Sequence, residues 1–421
     1  MNTMQNAKAQ AASAGAAGPD VSADCRVTIE LNSSGAVAIE LKSKVAEYYG
    51  DAIREQAAGE LKRCGVDSAA VLIEDAGALP FVIAARIEAA ARRAGLARVA
   101  PARQENARPR EQSPRDRLRR SRLYVPGSEP KYMLHAALYR PDAVILDLED
   151  AVHPKEKDAA RVLVRNALTD ASFAAPGYES VECERMVRIN PFPMGQVDLE
   201  DVIAAEPDVI LIPKAETAGQ VVAVEQAIAA IQKRTGSRRT IWLMPIIETA
   251  LGVENAFLIA SASQTVCSLA IGLEDYTADL GVVKTEAGAE SMYARMRLVN
   301  AARAAGVQVN DTAFGDASDV EALRRWATGS RALGFDGIGC VHPRQVEVVH
   351  GVFAPSPKEL EKALRIVGAF EKAQKLGLGV VSLGSKMVDQ PVVTRALKMI
   401  DQARKTGALP AAGATEPSRK N

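Results

Sequence analysis

From residue 121 onward the chain alternates between short apolar runs and longer amphipathic stretches, and this alternation constrains the fold most. Short runs rich in Val, Ile and Leu are typical of buried parallel strands, and the stretches between them have helical length and periodicity. Eight such strands separated by helices indicate an α/β fold, a (β/α)8 or TIM barrel over residues 121–352, with its site at the carboxyl ends of the strands. The predicted strands cover residues 122–125, 143–148, 186–190, 209–212, 241–246, 266–271, 307–310 and 337–341.

An open, doubly wound sheet is the alternative arrangement of the same elements. Such sheets usually carry a glycine-rich phosphate-binding turn after a strand. The sequence contains neither a GxGxxG nor a GxxxxGK[ST] motif, so dinucleotide-binding and P-loop functions are set aside.

Two carboxylates, Glu248 and Asp275, follow the fifth and sixth predicted strands. Neighbouring parallel strands end at the same edge, so we expect these side chains to lie close together. A few carboxylate oxygens completed by water suit a hard divalent cation such as Mg²⁺. The alternative is that the two carboxylates only form salt bridges.

Polar side chains follow most other predicted strands as well. Asp147, Glu149 and Asp150 lie at the end of the second strand, Arg188 ends the third, and Lys214 follows the fourth. Any one of them could be a salt-bridge residue that caps the barrel. Together they indicate a site in which the two cations balance an anionic substrate and a metal.

Residues 22–97 have the pattern of a separate small α+β domain. Alternating polar and apolar residues at 26–31 and 36–41, across a turn, predict a β-hairpin. A helix at 52–64, a strand at 70–75 and a helix at 82–94 complete this domain.

The segments on either side of this domain lack a hydrophobic period. Residues 1–21 are predicted to be a disordered tail. Residues 98–120 are rich in Arg and Pro and are predicted to be a solvated linker, in which some arginines could meet coenzyme phosphates. Without interleaved aromatic residues, this charge run does not indicate nucleic-acid binding.

Composition narrows the class of protein. Lys plus Arg equals Asp plus Glu, at 52 each, which gives no indication of nucleic acid or an acidic membrane surface as partner. The five cysteines have no CxxC spacing and are expected to be buried free thiols. We expect no membrane span and no secretory signal, and therefore a cytoplasmic protein.

The barrel region resembles the citrate lyase β subunit, in the group that includes malyl- and citramalyl-CoA lyases and is related to the HpcH/HpaI aldolases. The resemblance extends from about residue 122 to 405. The segments that carry it are RLYVPG from Arg122, LDLEDAV from Leu146, EKDAAR from Glu156, VRIN from Val187, IPK from Ile212, IETA from Ile247 and GLED from Gly272.

This resemblance implies roles for the polar ring. Glu248 and Asp275 would be the Mg²⁺ ligands, and Arg188 would bind and polarise the substrate. Arg122, Lys214 and Glu248 would also contribute to substrate binding.

It also implies roles for the second strand and the C-terminus. Asp147, Glu149 and Asp150 would order the metal's waters and the arginine. Residues 353–421 would form a C-terminal lid and tail, in which Asp389 is an acid/base that acts on a neighbouring subunit's site. The alternative for Asp389 is a helix cap before Pro391.

The N-terminal domain resembles the acyl carrier subunit of citrate lyase, through the segments YYGDAIR from Tyr48, LIEDAGALP from Leu72 and IAARIEAA from Ile83. That family carries a phosphoribosyl-dephospho-CoA arm on the first serine of a Ser-Ser-Asp motif. The matching residues are Ser22, Ala23 and Asp24, so the second serine is replaced. Ser22 is either the attachment site or an ordinary serine on a domain that only docks.

The resemblances together imply a Mg²⁺-dependent carbon–carbon lyase. It would cleave a 3-hydroxyacyl thioester of the citryl, citramalyl or malyl type into an acetyl thioester and a 2-oxo acid by retro-aldol (retro-Claisen) chemistry. The thioester would be carried either by free CoA or by the arm, which a separate acyl transferase subunit would load. A homotrimer or homohexamer is expected. The alternative is an acyl-carrier scaffold subunit with little lyase activity of its own.

Overall fold

The computed structural model describes residues 11–33, 35–96, 111–169, 183–375, 381–383 and 386–410. Within these ranges it contains a four-stranded sheet, a closed eight-stranded barrel and a two-stranded sheet. Residues 1–10 of the predicted tail, 98–110 of the predicted linker and 411–421 of the predicted lid and tail lie outside the described residues.

The N-terminal domain is a mixed sheet covered by two helices. Its core contains Val27, Ile29 and Ile73 from the strands and Ile53 and Leu61 from the first helix. Its elements are β1 (Ala12–Ala14), β2 (Cys25–Leu31), β3 (Val37–Ser43), α1 (Ala46–Arg63), β4 (Ala69–Asp75) and α2 (Pro80–Arg93).

Two expectations for this domain are wrong. The strands β2 and β3 do not form a hairpin, because β4 lies between them, antiparallel to β2 and parallel to β3. In addition, β1 pairs with β2 antiparallel, so residues 12–14 of the predicted tail are part of the sheet. The turn residues after β2 predict correctly that the chain reverses its direction. They do not indicate that another strand, distant in the sequence, pairs between β2 and β3.

The segment before the barrel is not a solvated linker over its described part. The Oγ of Ser113 donates to Glu184 (2.5 Å), and the guanidinium of Arg119 forms two hydrogen bonds with the same carboxylate (2.7 and 2.8 Å). The indole nitrogen of Trp242 donates to the carbonyl oxygen of Ser113 (2.8 Å). This segment therefore closes the amino end of the barrel, where Glu184 begins its strand.

The eight predicted strands form one closed parallel barrel, as the sequence predicts. In spatial order it runs β10, β11, β12, β5, β6, β7, β8, β9. The strands are β5 (Ser121–Pro126), β6 (Ala143–Asp147), β7 (Glu184–Arg188), β8 (Val209–Ile212), β9 (Trp242–Ile247), β10 (Ser268–Ile271), β11 (Gln308–Phe314) and β12 (Gly337–Cys340).

Helices surround the barrel, and short 3-10 turns occur at residues 136–139, 154–156, 203–205 and 289–291. Strand residues such as Ile145, Met186, Leu211 and Met244 fill the interior. A second, larger cluster lies between strands and helices, which is why these strands are apolar on both faces. The helices are α3 (Pro130–Met133), α4 (Lys157–Thr169), α5 (Met194–Val202), α6 (Ala218–Thr235), α7 (Ala250–Glu254), α8 (Ala256–Ala260), α9 (Leu273–Leu280), α10 (Met292–Ala305), α11 (Val320–Leu333) and α12 (Arg344–Phe353).

Two long helices follow the barrel, α13 (Pro357–Lys375) and α14 (Gln390–Lys405), with the short strands β13 (Val381–Leu383) and β14 (Lys386–Val388) between them. The helices pack through an apolar cluster that includes Ile366, Phe370 and Ile400.

All five cysteines are buried and unpaired, as expected. Among the described helices, none is both long and apolar enough to cross a bilayer.

Candidate active site at the carboxyl end of the barrel

The last residues of β6 and β7 form the base of the site. Asp147 and Arg188 stand opposite each other in the parallel register of these strands. The guanidinium of Arg188 donates to both carboxylate oxygens of Asp147, at 2.7 Å from Nε and 2.6 Å from Nη2. A bidentate pair of this kind holds the arginine in one orientation. The strand register therefore positions the guanidinium of Arg188.

Arg188 also meets the loop after β6. Its Nη1 lies 2.9 Å from Glu149 Oε2 and 3.3 Å from Asp150 Oδ2. The guanidinium lies over the ring of Tyr124, 5.4 Å from its centroid, which is a cation–π contact. Burial by itself would lower the pKa of Arg188, but its hydrogen bond to Asp147 and the surrounding carboxylates raise that pKa above its usual value. Arg188 thus remains charged at any working pH.

Lys214 connects the two sides of the site. Its φ angle is 48°, a left-handed conformation that is uncommon for a side chain of this size. This conformation directs the backbone N–H of Lys214 to Glu248 Oε1 (2.7 Å). Its ammonium lies 3.4 Å from Glu149 Oε1 and 3.9 Å from Asp275 Oδ1. Burial lowers the pKa of Lys214, but the negative charges of Glu149 and Asp275 raise it by more. The pKa is therefore above its usual value, and Lys214 also stays cationic.

Glu248 follows β9 directly and is buried. Gly272 lies against it so closely that a Cβ atom there would overlap Glu248 Oε2. Burial, followed by the negative charge of Glu149, raises the pKa of Glu248 to about 8. Because its pKa is raised, the ionised form of Glu248 is disfavoured in the absence of a cation, and a bound cation would stabilise that form.

Asp275 is not on a strand but in the first turn of α9, and its side chain is 42% exposed. Its carboxylate faces Lys214 and, at the helix N-terminus, is favoured by the helix dipole.

Glu149 shows that the charges are incompletely balanced. Both of its carboxylate oxygens are buried, and within the described ranges neither receives an aligned hydrogen bond. The 2.9 Å approach of Arg188 is therefore an ion-pair contact without hydrogen-bond alignment. Burial raises the pKa of Glu149 to about 7.

The described part of the site thus holds more carboxyl groups than cationic side chains. No three His, Cys, Asp or Glu residues of the described chain are placed to hold a metal ion by themselves. Two carboxylates beside an under-satisfied third fit a hard cation that keeps water ligands, such as Mg²⁺. The five carboxylates are Asp147, Glu149, Asp150, Glu248 and Asp275, and the three cations are Arg188, Lys214 and Lys157.

Arg122, expected to bind substrate, does not line the site. It is 1% exposed inside the barrel, on the same strand as Tyr124 and one inward position below it. Its Nη2 donates to the carbonyl oxygen of Asp311 (3.0 Å) and its Nη1 to the sulfur of Met244 (3.5 Å). The residue lies near the amino end of β5, whereas the ring of charged side chains lies at the carboxyl ends of the strands.

Asp389 and Ser22 are not in contact with this ring. Asp389 is the N-cap of α14, and its carboxylate accepts a hydrogen bond from the N–H of Val392 (3.3 Å). At the other end of α14, Lys405 pairs with Asp116 (2.6 Å) in the segment that closes the amino end of the barrel. Ser22 is exposed on the N-terminal domain.

Lys157 is a site residue for which the sequence suggested no role. Its ammonium donates to the carbonyl oxygens of Leu148 (2.6 Å) and Glu149 (2.5 Å), and so fixes the loop that carries the acidic residues. Its position within EKDAAR, one of the segments that carry the family resemblance, is the feature of the sequence that could have indicated a role for it. Gly272 had a comparable signal, a glycine immediately before Leu-Glu-Asp.

Comparison with known proteins identifies the family. The model described as HpcH/HpaI aldolase/citrate lyase matches residues 120–343. The citrate lyase subunit beta of Haemophilus influenzae is 40% identical over 287 residues, which is 68% of this chain and 96% of the relative. The chain belongs to the HpcH/HpaI aldolase/citrate lyase family. The expectation of a carbon–carbon lyase barrel is confirmed at the level of this family.

Other members of the family extend the comparison. The (3S)-malyl-CoA thioesterase of Cereibacter sphaeroides is 34% identical over 292 residues, covering 69% of this chain and 96% of the relative. The crystal structure of CitE from Mycobacterium tuberculosis, in complex with magnesium, acetoacetate and coenzyme A, is 30% identical. It superposes with a TM-score of 0.55, and the match covers 69% of this chain and 99% of that one.

A second family model, malonate decarboxylase delta subunit (MdcD), an acyl carrier model, matches residues 11–94. The expected acyl-carrier-like domain is therefore confirmed, and the match includes β1.

Proposed function

We propose that the barrel is a Mg²⁺-dependent lyase that cleaves a 3-hydroxyacyl thioester into an acetyl thioester and a 2-oxo acid. The observation that carries this proposal is the surplus of carboxyl groups around Arg188. Among them, Glu149 and Glu248 are buried, and burial raises the pKa of both. Groups perturbed in this way cluster at functional sites. The malyl-CoA thioesterase and the CitE complex with magnesium, acetoacetate and coenzyme A support thioester chemistry for this chain.

Glu248 and Asp275 would hold the metal. Glu248 has one oxygen committed to the N–H of Lys214, which leaves the other, beside Gly272, to face the site. When bound, Mg²⁺ supplies Lewis acidity towards the substrate's carboxylate and hydroxyl oxygens. Glu149 would orient water around the metal, since its oxygens lack aligned donors among the described residues.

Arg188 would bind the 2-oxo acid portion and stabilise the negative charge that develops as the carbon–carbon bond breaks. A guanidinium that is already aligned by Asp147 does not reorganise during the reaction, and this is the condition under which electrostatic stabilisation is strongest. Lys214 would provide a second positive charge near the substrate carboxylate.

Asp389 would return a proton to the enolate carbon of the leaving acyl thioester, or remove one in the condensation direction. Its carboxylate caps α14 and does not touch the ring of its own chain, so it would act at the site of a neighbouring copy. A homotrimer or homohexamer would provide that neighbour.

Ser22 would carry the acyl arm. It is exposed, it lies within the segment matched by the acyl carrier model, and it precedes Ala23 and the buried Asp24 in the chain. A separate acyl transferase subunit would load the arm. Five buried free thiols fit a reducing compartment, the cytoplasm.

The test is a cleavage assay with citryl, citramalyl and malyl thioesters of CoA, at increasing Mg²⁺ and again with EDTA. We expect one of the three to be cleaved in a Mg²⁺-dependent manner. Intact-mass measurement on protein from its native host then shows whether Ser22 carries the arm. Absence of cleavage with all three, in protein that binds Mg²⁺, would favour the acyl-carrier scaffold.

A further inference from the structure

Helix α2 is buried on two sides. Phe81, Val82 and Ala85 pack within the apolar cluster of the barrel's strands and helices. Ile83 and Ile87 pack within the core of the N-terminal domain. A helix on the surface of a separate domain would bury one face only. The helix α2 is therefore a wall that the two domains share.

Charged side chains of α2 extend this contact. Glu88 is 1% exposed and receives two hydrogen bonds, of 2.9 and 2.7 Å, from Arg165 of α4. Arg92 donates to both carboxylate oxygens of Asp201 in α5 (3.2 and 3.0 Å). Separating the domains would break these pairs and would expose the apolar side chains of Phe81, Val82 and Ala85 to water, which is unfavourable. The N-terminal domain is thus held in one position on the barrel.

The segment at the proposed attachment serine is held just as firmly. Asp24 forms a bidentate pair with Arg86 of α2, with both distances 2.9 Å and both side chains buried. The N–H of Ala23 donates to the carbonyl oxygen of Ala76, whose own N–H donates to that of Asp24. Ser22 is exposed and, by chain geometry, within about 8 Å of Asp24 between Cα atoms.

Arg86 connects this segment to the rim of the active site. Its Nη2 also donates to the carbonyl oxygen of Ser128 (3.0 Å), in the loop between β5 and α3. Within the same loop the N–H of Gly127 donates to the carbonyl oxygen of Asp147 (2.8 Å). A Cβ atom at Gly127 would come within 2.5 Å of that oxygen, so the loop packs directly on the end of β6. Asp147 in turn holds Arg188.

We propose that the N-terminal domain is a fixed carrier that serves the barrel of its own chain. The arm on Ser22 would move, while the domain stays docked through α2 with its attachment segment at the carboxyl end of that barrel. This inference rests on the proposed function for the arm, whereas the docking itself rests only on contacts within the chain.

The docking is tested in the full chain by inserting a site for a specific protease after Gln104, outside the described residues. After cleavage we expect the two halves to elute together in size-exclusion chromatography. Separation of the halves in the otherwise unchanged protein would overturn the fixed carrier.

Two neighbouring alanines of α2 make a matched pair for this experiment. Ala85 is buried against the barrel, whereas Ala84 is partly exposed and lies in neither core. Ala85→Asp should release the N-terminal half after cleavage, and Ala84→Asp should not. Arg165→Gln, which removes one barrel partner of Glu88 without adding bulk, should weaken the association in the same direction. Equal behaviour of the two alanine variants would contradict the assigned contact face.

Delivery within one chain is tested by mixing two inactive variants. One chain carries Ser22→Ala and the other carries Asp275→Asn, and the two are co-expressed with the loading machinery of the native host. Turnover of arm-borne acyl groups in the mixture should not exceed the sum of the two parents at any protein concentration. Recovered turnover would mean that a carrier serves another chain's barrel and would overturn the inference.

Controls separate failure of this inference from failure of the proposed function. Ser33, exposed at the far end of β2, provides the variant Ser33→Ala, which should retain arm-borne turnover. If the barrel cleaves free thioesters and intact mass shows no arm on Ser22, the proposed carrier role fails while docking is judged by the cleavage experiment alone. If the arm is present and the mixture recovers turnover, only delivery within the chain fails.

Discussion

The two ends of the barrel use the same residue types in opposite ways. At the amino end, the side chains of Arg119 and Glu184 are fully buried and form a bidentate pair, and Ser113, Gln308 and the carbonyl oxygen of Arg115 take part in further hydrogen bonds with them. At the carboxyl end, Arg188 is shared among several carboxylates, and the oxygens of Glu149 receive no aligned hydrogen bond from the described residues. One end balances its charges within the chain, and the other does not.

This difference separates stability from function. When one partner of a complete buried ion pair is removed, the other charge stays buried without compensation, and the fold is destabilised. A group of buried charges that is incompletely paired instead lowers the stability of the fold. Such groups are typical of functional sites, where a ligand supplies the missing partner. The proposed metal and anionic substrate would complete the charges at the carboxyl end of this barrel, whereas the amino end only holds the barrel closed.

The largest expected effect is on activity at the carboxyl end. Glu248→Gln should lower cleavage by about 10³-fold or more, because several kcal/mol of metal-based stabilisation are lost. Since burial already favours the protonated form of Glu248, the neutral variant should unfold at the same urea concentration or higher. Asp275→Ala should also lose Mg²⁺-dependent cleavage.

Glu274→Gln is the matched control for these changes, because Glu274 is exposed and pairs with Lys284 at the surface (2.6 Å). It should retain full activity. Full activity of Glu248→Gln or Asp275→Ala in EDTA would contradict the metal assignment.

Asp389→Asn should lower kcat by about 10²-fold or more, the usual contribution of a general acid or base. Asparagine caps a helix as well as aspartate does, so the melting temperature should not change. Substrate binding should be retained. An unchanged kcat would show that Asp389 serves only as a cap.

Arg119→Gln tests the amino end. We expect it to lower the free energy of unfolding by about 3–5 kcal/mol, measured in urea, because Glu184 would remain buried without its cation. The kcat per folded molecule should be unchanged. A loss of kcat without a loss of stability would mean that the two ends are not functionally separate.

Gly272→Ala changes no charge at the carboxyl end but removes the space that Glu248 occupies. A displacement of about 1 Å in a catalytic group can cost about 10²-fold in rate, and we expect a loss of that order. Gly281→Ala, where a Cβ atom would meet no neighbour, tests whether the effect is steric, although its positive φ adds strain of its own. Wild-type activity of Gly272→Ala would place Glu248 elsewhere.

The smallest effect is on metal affinity as a function of pH. In the metal-free protein the pKa of Glu248 is raised to about 8, above that of an unfolded glutamate, so ionising it destabilises the fold as pH rises towards 8. Because Mg²⁺ binds the ionised form, its affinity should increase between pH 6.5 and 8, by up to about tenfold per unit, and then level off. Titration calorimetry at several pH values measures this, and a constant affinity over the range would contradict it.

Most of the barrel could be predicted from the sequence because its strands are local, periodic and uniformly apolar. The positions of Glu248 and Asp275 could be predicted as well, because the ends of the apolar runs that they follow are visible in the sequence. The insertion of β4 between β2 and β3 was not visible, because pairing partners are distant in the chain. The resemblance implied a substrate-binding role for Arg122, and only the closed barrel shows that its side chain is buried inside it.

The sequence by itself determined the (β/α)8 barrel, the acidic and basic residues at its carboxyl end and the presence of an acyl-carrier-like domain. The barrel and its charged residues depend on local periodicity and on residue type, whereas the acyl-carrier-like domain was identified by its resemblance to a known family. Only the tertiary structure decided which charges remain unbalanced, that residues 113–119 close the amino end, and that α2 joins the two domains. Such features depend on which distant side chains share a buried space, and there the low dielectric makes each missing partner count.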